Sequence, residues 1–163
     1  MRNNVDPMTK DKEKVLENIL WSIALPGFPQ LLNGKYLKGF GFIALEIIIN
    51  VQAKFNLAIL LSFHGEIQQA LDVTNFQWLM FYPCLYFYAM WDAFKAAAGK
   101  SSPFMYLPFV FSAYSVTVGL ILSPKVMLFG KLWGPVWLPM SFVIPGVIVG
   151  FIVKMILQYF TRK

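Results

Sequence analysis

Charged residues are scarce in this chain, and that scarcity excludes an ordinary soluble domain. Of 163 residues, 13% are charged and 58% hydrophobic, with a mean hydropathy of +0.59; soluble domains carry about 25% charged residues. Cysteine occurs once, as Cys84, so no intramolecular disulfide can form and no cysteine-based metal cluster is expected. Histidine also occurs once, as His64. A proton-relay role there would need Glu66, two residues on, as its partner, whereas an interfacial loop histidine needs none. There is no nucleophile elbow, no Cys/His metal spacing and no phosphate-binding glycine loop after a strand. These absences predict a protein that is not an enzyme and that needs no metal or cofactor. Residues 1–14 carry Arg2, Asp6, Lys10, Asp11, Lys12, Glu13 and Lys14 without an apolar core. The expectation is a polar cytoplasmic lead with no signal peptide starting at Met1, insertion being directed by the spans themselves.

What is present is a series of apolar segments. A helical crossing takes about 20 residues, so residues 15–163 have room for one integral membrane domain of about four crossings and none for a separate soluble domain. The expected fold class is an all-α, polytopic helical membrane protein with an N-terminal re-entrant or interfacial helix. Val15, Leu16, Ile19, Leu20 and Ile23 fall at helical spacing and predict an amphipathic helix up to Pro26, with Trp21 suited to the interface. Its apolar part, 19–32, is too short to cross and is interrupted by Pro26 and Pro29, as a re-entrant segment would be. Later crossings are expected over 39–63, 78–96, 104–122 and 136–156. Ser101-Ser102-Pro103 would cap the 104–122 helix, and Pro139 and Pro145 would bend the last one. Residues 64–76 read as a polar connection and 123–135 as a loop.

Charge placement chooses the orientation. With the first segment re-entrant and both termini cytoplasmic, Arg2, Lys10, Lys12, Lys14, Lys35, Lys38, Lys95, Lys100, Lys154, Arg162 and Lys163 lie at the inner face. Those are eleven of the fourteen basic residues; Lys54, Lys125 and Lys131 do not. A full first crossing would put Lys35 and Lys38 outside, against the positive-inside rule.

Three constellations follow from this layout. Glu46, Asn50 and Lys54 are spaced four apart, one stripe along the 39–63 segment. Intramembrane charge costs at least about 2.5 kcal/mol near the bilayer centre, so the stripe should face the interior, either as a solute pathway or as an interhelical packing network. A further option ends this span near Val51, with Lys54 at the outer interface and 55–73 lying on the membrane surface. Second, the break formed by Pro26, Gly27, Gln30, Asn33, Gly34, Lys35 and Lys38 lies at the same level as Asp92. A carboxylate near a helix C-terminus is disfavoured by the helix dipole. Asp92 is therefore expected either to pair with Lys35 and Lys38, tethering its helix to the break, or to be solvated at the interface. Third, Gly146 and Gly150 form a small-residue face for close helix contact, with a second copy or another membrane protein or within the chain. The lipid bilayer is the expected surrounding partner, and nucleic acid is not expected as one.

Leu25-Pro26-Gly27, Gln30, Asn33-Gly34, Lys38-Gly39 and Asp92-Ala93-Phe94 together resemble a group of small bacterial membrane proteins related to the two-transmembrane-helix domain. That group shares a Leu-Pro-Gly-x-Gly-Gln motif, then Asn-Gly and Lys-Gly, and an Asp-Ala-aromatic end to its helix hairpin. The likeness covers about residues 20–97, and Pro29 stands where the pattern has glycine. It implies a bacterial cell-membrane location and brings no biochemical activity with it. The expected role is a non-catalytic membrane interaction or assembly component. The competing role is a small transporter or channel subunit using the Glu46, Asn50 and Lys54 stripe.

Overall fold

The computed structural model describes residues 7–99 and 102–161, with side chains from residue 12 onward. The first six residues of the polar lead, the Ser101 cap and the basic residues Arg2, Lys100, Arg162 and Lys163 lie outside the described residues. The described chain is mostly helical: α1 Pro7–Ala24, α2 Phe28–Leu32, α3 Tyr36–Ala53, α4 Phe55–Phe63, α5 Ile67–Val73, α6 Phe76–Leu79, α7 Phe81–Ala98, α8 Leu107–Leu122 and α9 Gly134–Thr161. A hairpin of β1 Met127–Leu128 and β2 Lys131–Leu132 joins α8 to α9. Its turn residues Phe129 and Gly130 both have positive φ, as a tight two-residue hairpin turn requires. The all-α class is as expected. By length and composition α3 and α9 could each cross a membrane, and α8 is a shorter apolar helix.

Backbone proximity organises the α8–α9 pair. Gly119 lies against Pro139, Gly146 against Ser112 and Gly150 against Pro108, so the contacts run antiparallel down both helices. Gly146 and Gly150 therefore make an intramolecular face, already filled by α8. Pro139 and Pro145 sit inside α9 without ending it. Each lacks an N–H, which leaves the Pro135 and Ser141 carbonyls without their usual intrahelical donor.

The α1–α2 and α2–α3 turns gather at the C-terminal half of α7, while α4, α5, α6 and the hairpin gather at the opposite end. There Asn75 N donates to Ala53 O at 3.1 Å, Trp137 Nε1 donates to Ser62 O at 3.2 Å, and Gly134 lies against Ile67. The buried core is small, with Ala53, Leu79 and Leu120 flanked by Phe55 and Tyr82. Large apolar side chains point outward instead, among them Leu37, Ile47, Val51, Ile144, Phe151 and Met155. So much outward apolar surface is foreign to a water-soluble monomer.

Several expected boundaries move. The 39–63 segment is not one helix: α3 ends at Ala53, close to the further option of an end near Val51. Lys54 adopts a left-handed conformation, φ 54°, and divides it into α3 and α4. The cause is local: Asn50 Nδ2 donates to Asn56 Oδ1 at 3.1 Å, and Asn56 N donates to Asn50 Oδ1 at 3.3 Å, so two side chains bridge the break. The 64–76 connection contains α5, because Ala70, Leu71 and Thr74 recur at helical spacing and are buried. The polar lead is helical from Pro7, which suits a first helical turn. The helix expected from Phe104 begins at Leu107 with Pro108 in its first turn, since Phe104 is left-handed at φ 64°.

A Cβ at position 150 would lie 2.5 Å from the Pro108 Cα. Gly150→Leu is expected to force α8 and α9 apart and cost about 1–3 kcal/mol, read as a lowered unfolding temperature in detergent. Gly41→Leu, where nothing lies within 4 Å, should leave it unchanged. Equal behaviour of the two variants would refute the close-contact account of the pair.

Candidate functional site

The polar residues of the break converge on one face of α7. Gly27 makes the turn out of α1 with φ 98°, and its missing Cβ matters twice, since an added Cβ would also lie 2.6 Å from Gly39 O. This close approach brings α3 against the break. Pro29 lies in the first turn of α2, where its missing donor costs nothing. Gly34, at φ 73°, closes α2: Gly34 N donates to Leu31 O at 3.0 Å and Lys35 N to Gln30 O at 2.8 Å. That pair of bonds is the Schellman arrangement, which satisfies carbonyls left over at a helix end.

Gln30 is 1% exposed. Its Nε2 donates to Ala89 O at 2.9 Å and to Asp92 Oδ2 at 3.3 Å. The other Asp92 oxygen, Oδ1, accepts from Lys38 Nζ at 2.7 Å. Asp92 thus receives one donor from α2 and one from α3, so a carboxylate poorly placed for the α7 dipole holds three elements together. Lys35 is exposed and not joined to Asp92; of the two lysines only Lys38 forms the ion pair. Asn33 Nδ2 donates to Pro29 O at 2.7 Å and to Asn18 Oδ1 at 2.6 Å, tying α2 to α1. Higher up, Tyr86 OH donates to Ile23 O at 2.9 Å. Pro26, Gly27, Gln30, Asn33, Gly34, Lys38 and Asp92 therefore belong to one assembly, with Lys35 at its rim.

Glu46 and Asn50 keep their one-turn spacing on α3, but Lys54 lies outside the helix, and no hydrogen bond or ion pair joins the three. Glu46 Oε1 accepts from Tyr82 OH at 3.4 Å, Asn50 is engaged with Asn56, and Lys54 is exposed at the break between α3 and α4. Sequence reasoning does not assign Tyr82 and Tyr86 to any site, and it places Asn18 only among the polar positions of the first amphipathic helix. Asn18 had a signal: it stands four residues before Ser22, and the structure buries that polar pair while the apolar Leu16, Leu20 and Ile23 of the expected amphipathic helix face outward. The tyrosines had none, because a hydroxyl among so many aromatics does not reveal which way it points.

The assembly contains no nucleophile beside a base, and among the described residues no group of three or more His, Cys, Asp or Glu could hold a metal ion. Its geometry suits fixing a turn. No family model, curated protein or solved structure matches the chain.

Asp92→Lys is expected to lower the unfolding temperature in detergent and the amount of chain recovered from membranes, and Lys38→Asp in the same chain to recover part of both. Gln30→Leu should cost about 2 kcal/mol, the loss of a hydrogen bond to a charged group. An Asp92→Lys protein as abundant and as heat-stable as the parent would show that the pair holds nothing.

Proposed function

We propose that this chain is a multi-pass cell-membrane protein with four crossing helices, α3, α7, α8 and α9, and a re-entrant hairpin, α1–α2, entering from the cytoplasmic face. It acts as a non-catalytic interaction or assembly component. Depth supports the re-entrant hairpin. Ile23 meets α7 at Tyr86, Gln30 meets it at Ala89, and Lys38 meets it at Asp92. The chain thus turns level with the middle of α7 and retreats about 9 Å, six residues at 1.5 Å each, to the end it came from. Lys12, Lys14, Lys35, Lys38 and Lys95 then share the cytoplasmic end, against Lys54, Lys125 and Lys131 at the other, as the positive-inside rule prefers.

The observation that carries the interaction role over transport is the dispersal of the polar stripe. Glu46, Asn50 and Lys54 have separate surroundings and form no continuous line through α3. Polar groups in the helices are spent on neighbours, while α3 and α9 offer apolar faces to lipid or to other helices.

The orientation is checked in a Cys84→Ser background: Lys35→Cys should react with an impermeant thiol reagent only from the cytoplasmic side, and Gly65→Cys only from the opposite side. Labelling of Lys35→Cys from outside would overturn the placement of the hairpin. For the role, proteoliposomes holding the chain should pass no more ions than empty vesicles. A flux that appears with the parent chain and vanishes in a folded Glu46→Gln, Lys54→Met variant would replace the interaction reading with the transport one.

A further inference from the structure

A groove of about 410 Å³ runs between α7 and α8 on the molecule's surface, its walls almost wholly apolar. Cys84, Tyr88 and Trp91 line it from α7, and Tyr106, Val110 and Thr117 line it from α8. On α7 the spacing 84, 88, 91 is one helical stripe, and Lys95 is the next position on that stripe. Lys95 is exposed, lies in the last turn of α7 and has no ion pair or hydrogen bond among the described residues. The neighbouring carboxylate, Asp92, is occupied by Lys38 and Gln30. The position just beyond the groove on its α7 stripe is therefore an unpaired cation. At that same end Trp91 contacts Tyr106 edge-on, with ring centroids 6.2 Å apart, and tilts against Phe109 at 5.7 Å, the kind of aromatic rim found where hydrocarbon meets headgroups.

We propose that this groove binds one phospholipid with an anionic headgroup, its acyl chain lying between α7 and α8 and its phosphate at Lys95. The proposal rests on the membrane reading above. Length fits: from Tyr106 to Thr117 is eleven residues, about 16 Å along a helix, and one leaflet of the hydrocarbon core is about 15 Å deep. Direction fits as well, because the groove follows the helix axes, as an acyl chain does. Charge selects the headgroup. A lysine with no partner at the cytoplasmic surface attracts an anionic lipid with about 1 kcal/mol, whereas a zwitterionic headgroup gains little from it.

The experiment uses the full chain in nanodiscs of phosphatidylcholine containing a minor share of phosphatidylglycerol, with lipids retained after transfer to detergent counted by native mass spectrometry. The parent should retain one phosphatidylglycerol in preference to phosphatidylcholine. Lys95→Gln should reduce that preference about fivefold, the 1 kcal/mol per lysine converted at tenfold per 1.4 kcal/mol, and leave phosphatidylcholine retention alone. Ala113→Phe, which fills the groove floor, should reduce retention of both lipids, and an unchanged unfolding temperature shows that it still folds. A preference unaltered by Lys95→Gln overturns the headgroup site, and retention unaltered by Ala113→Phe overturns the groove. Efficient oxidative crosslinking through the single Cys84 would put a second copy in the groove and also overturn it. Extraction of the chain from membranes by alkaline carbonate would instead refute the membrane reading, so the two failures are distinguishable.

Discussion

A chain that turns within an apolar surround must satisfy the backbone groups that its turn sets free, because no water is there to do it. The turn between α1 and α3 meets that demand almost group by group. Pro26 and Pro29 bring no donor. Leu25 N and Phe28 N bond to Trp21 O and Leu25 O, and Leu31 N to Gly27 O. The Ile23 carbonyl is answered by Tyr86, and the Pro29 carbonyl by both the backbone and the side chain of Asn33. The Gln30 amide is aimed at α7, with only its Oε1 left without a partner. Much else depends on this accounting. It fixes where α2 points, which brings Lys38 to Asp92 and places α3 beside α7.

The two ends of the molecule solve the same problem with different chemistry. At the α1–α3 end an ion pair and three amide side chains stitch the elements. At the other end, where α3 gives way to α4, two asparagines bridge the left-handed Lys54, and α4 closes at Gly65 with bonds from Gly65 N to Ser62 O and from Glu66 N to Leu61 O. Trp137 supplies the Ser62 carbonyl with a second donor. The charged solution is tolerable because Lys38 is half exposed, 53% against 13% for Asp92. A fully buried ion pair would lose more to desolvation than it gained. The amide solution carries no charge, and its two bonds lie at the exposed surface.

The difference also explains which parts were legible in the sequence. Pro26, Gly27 and Gly34 announce a turn through backbone chemistry, which is local, and Asp92 could be matched to a lysine because charge placement fixes the level of each segment in a bilayer. Periodicity failed at Lys54. A four-residue spacing from Glu46 to Lys54 presumes that the helix continues, and whether it continues was decided by Asn56, which competes for Asn50 from beyond the break. Side-chain bonds between near neighbours can outbid a helical ladder that Lys54, in any regular helix, would simply have extended. Gly146 and Gly150 were readable as a close-contact face but not as to what fills it. Only the α8 backbone, with Ser112 and Pro108 set at matching depths, decides that.

Tether and orientation draw on the same lysines, and the molecule can use them twice. Orientation in a membrane responds to the number of lysines and arginines flanking the spans, and acidic residues count for little. In the proposed orientation Lys38 therefore still counts toward holding its end at the cytoplasmic face while its ammonium is bonded to Asp92. Had orientation depended on net charge, each tether of this kind would have subtracted from it, and an ion pair at the turn would have worked against the placement of the turn. Because it does not, a carboxylate could be set where the α7 dipole disfavours it and recruit two elements at once. Lys12, Lys14, Lys35 and Lys95 remain at that end beyond the one cation the pair consumes. The fold can thus fasten its N-terminal hairpin by charge without weakening the asymmetry that would orient it.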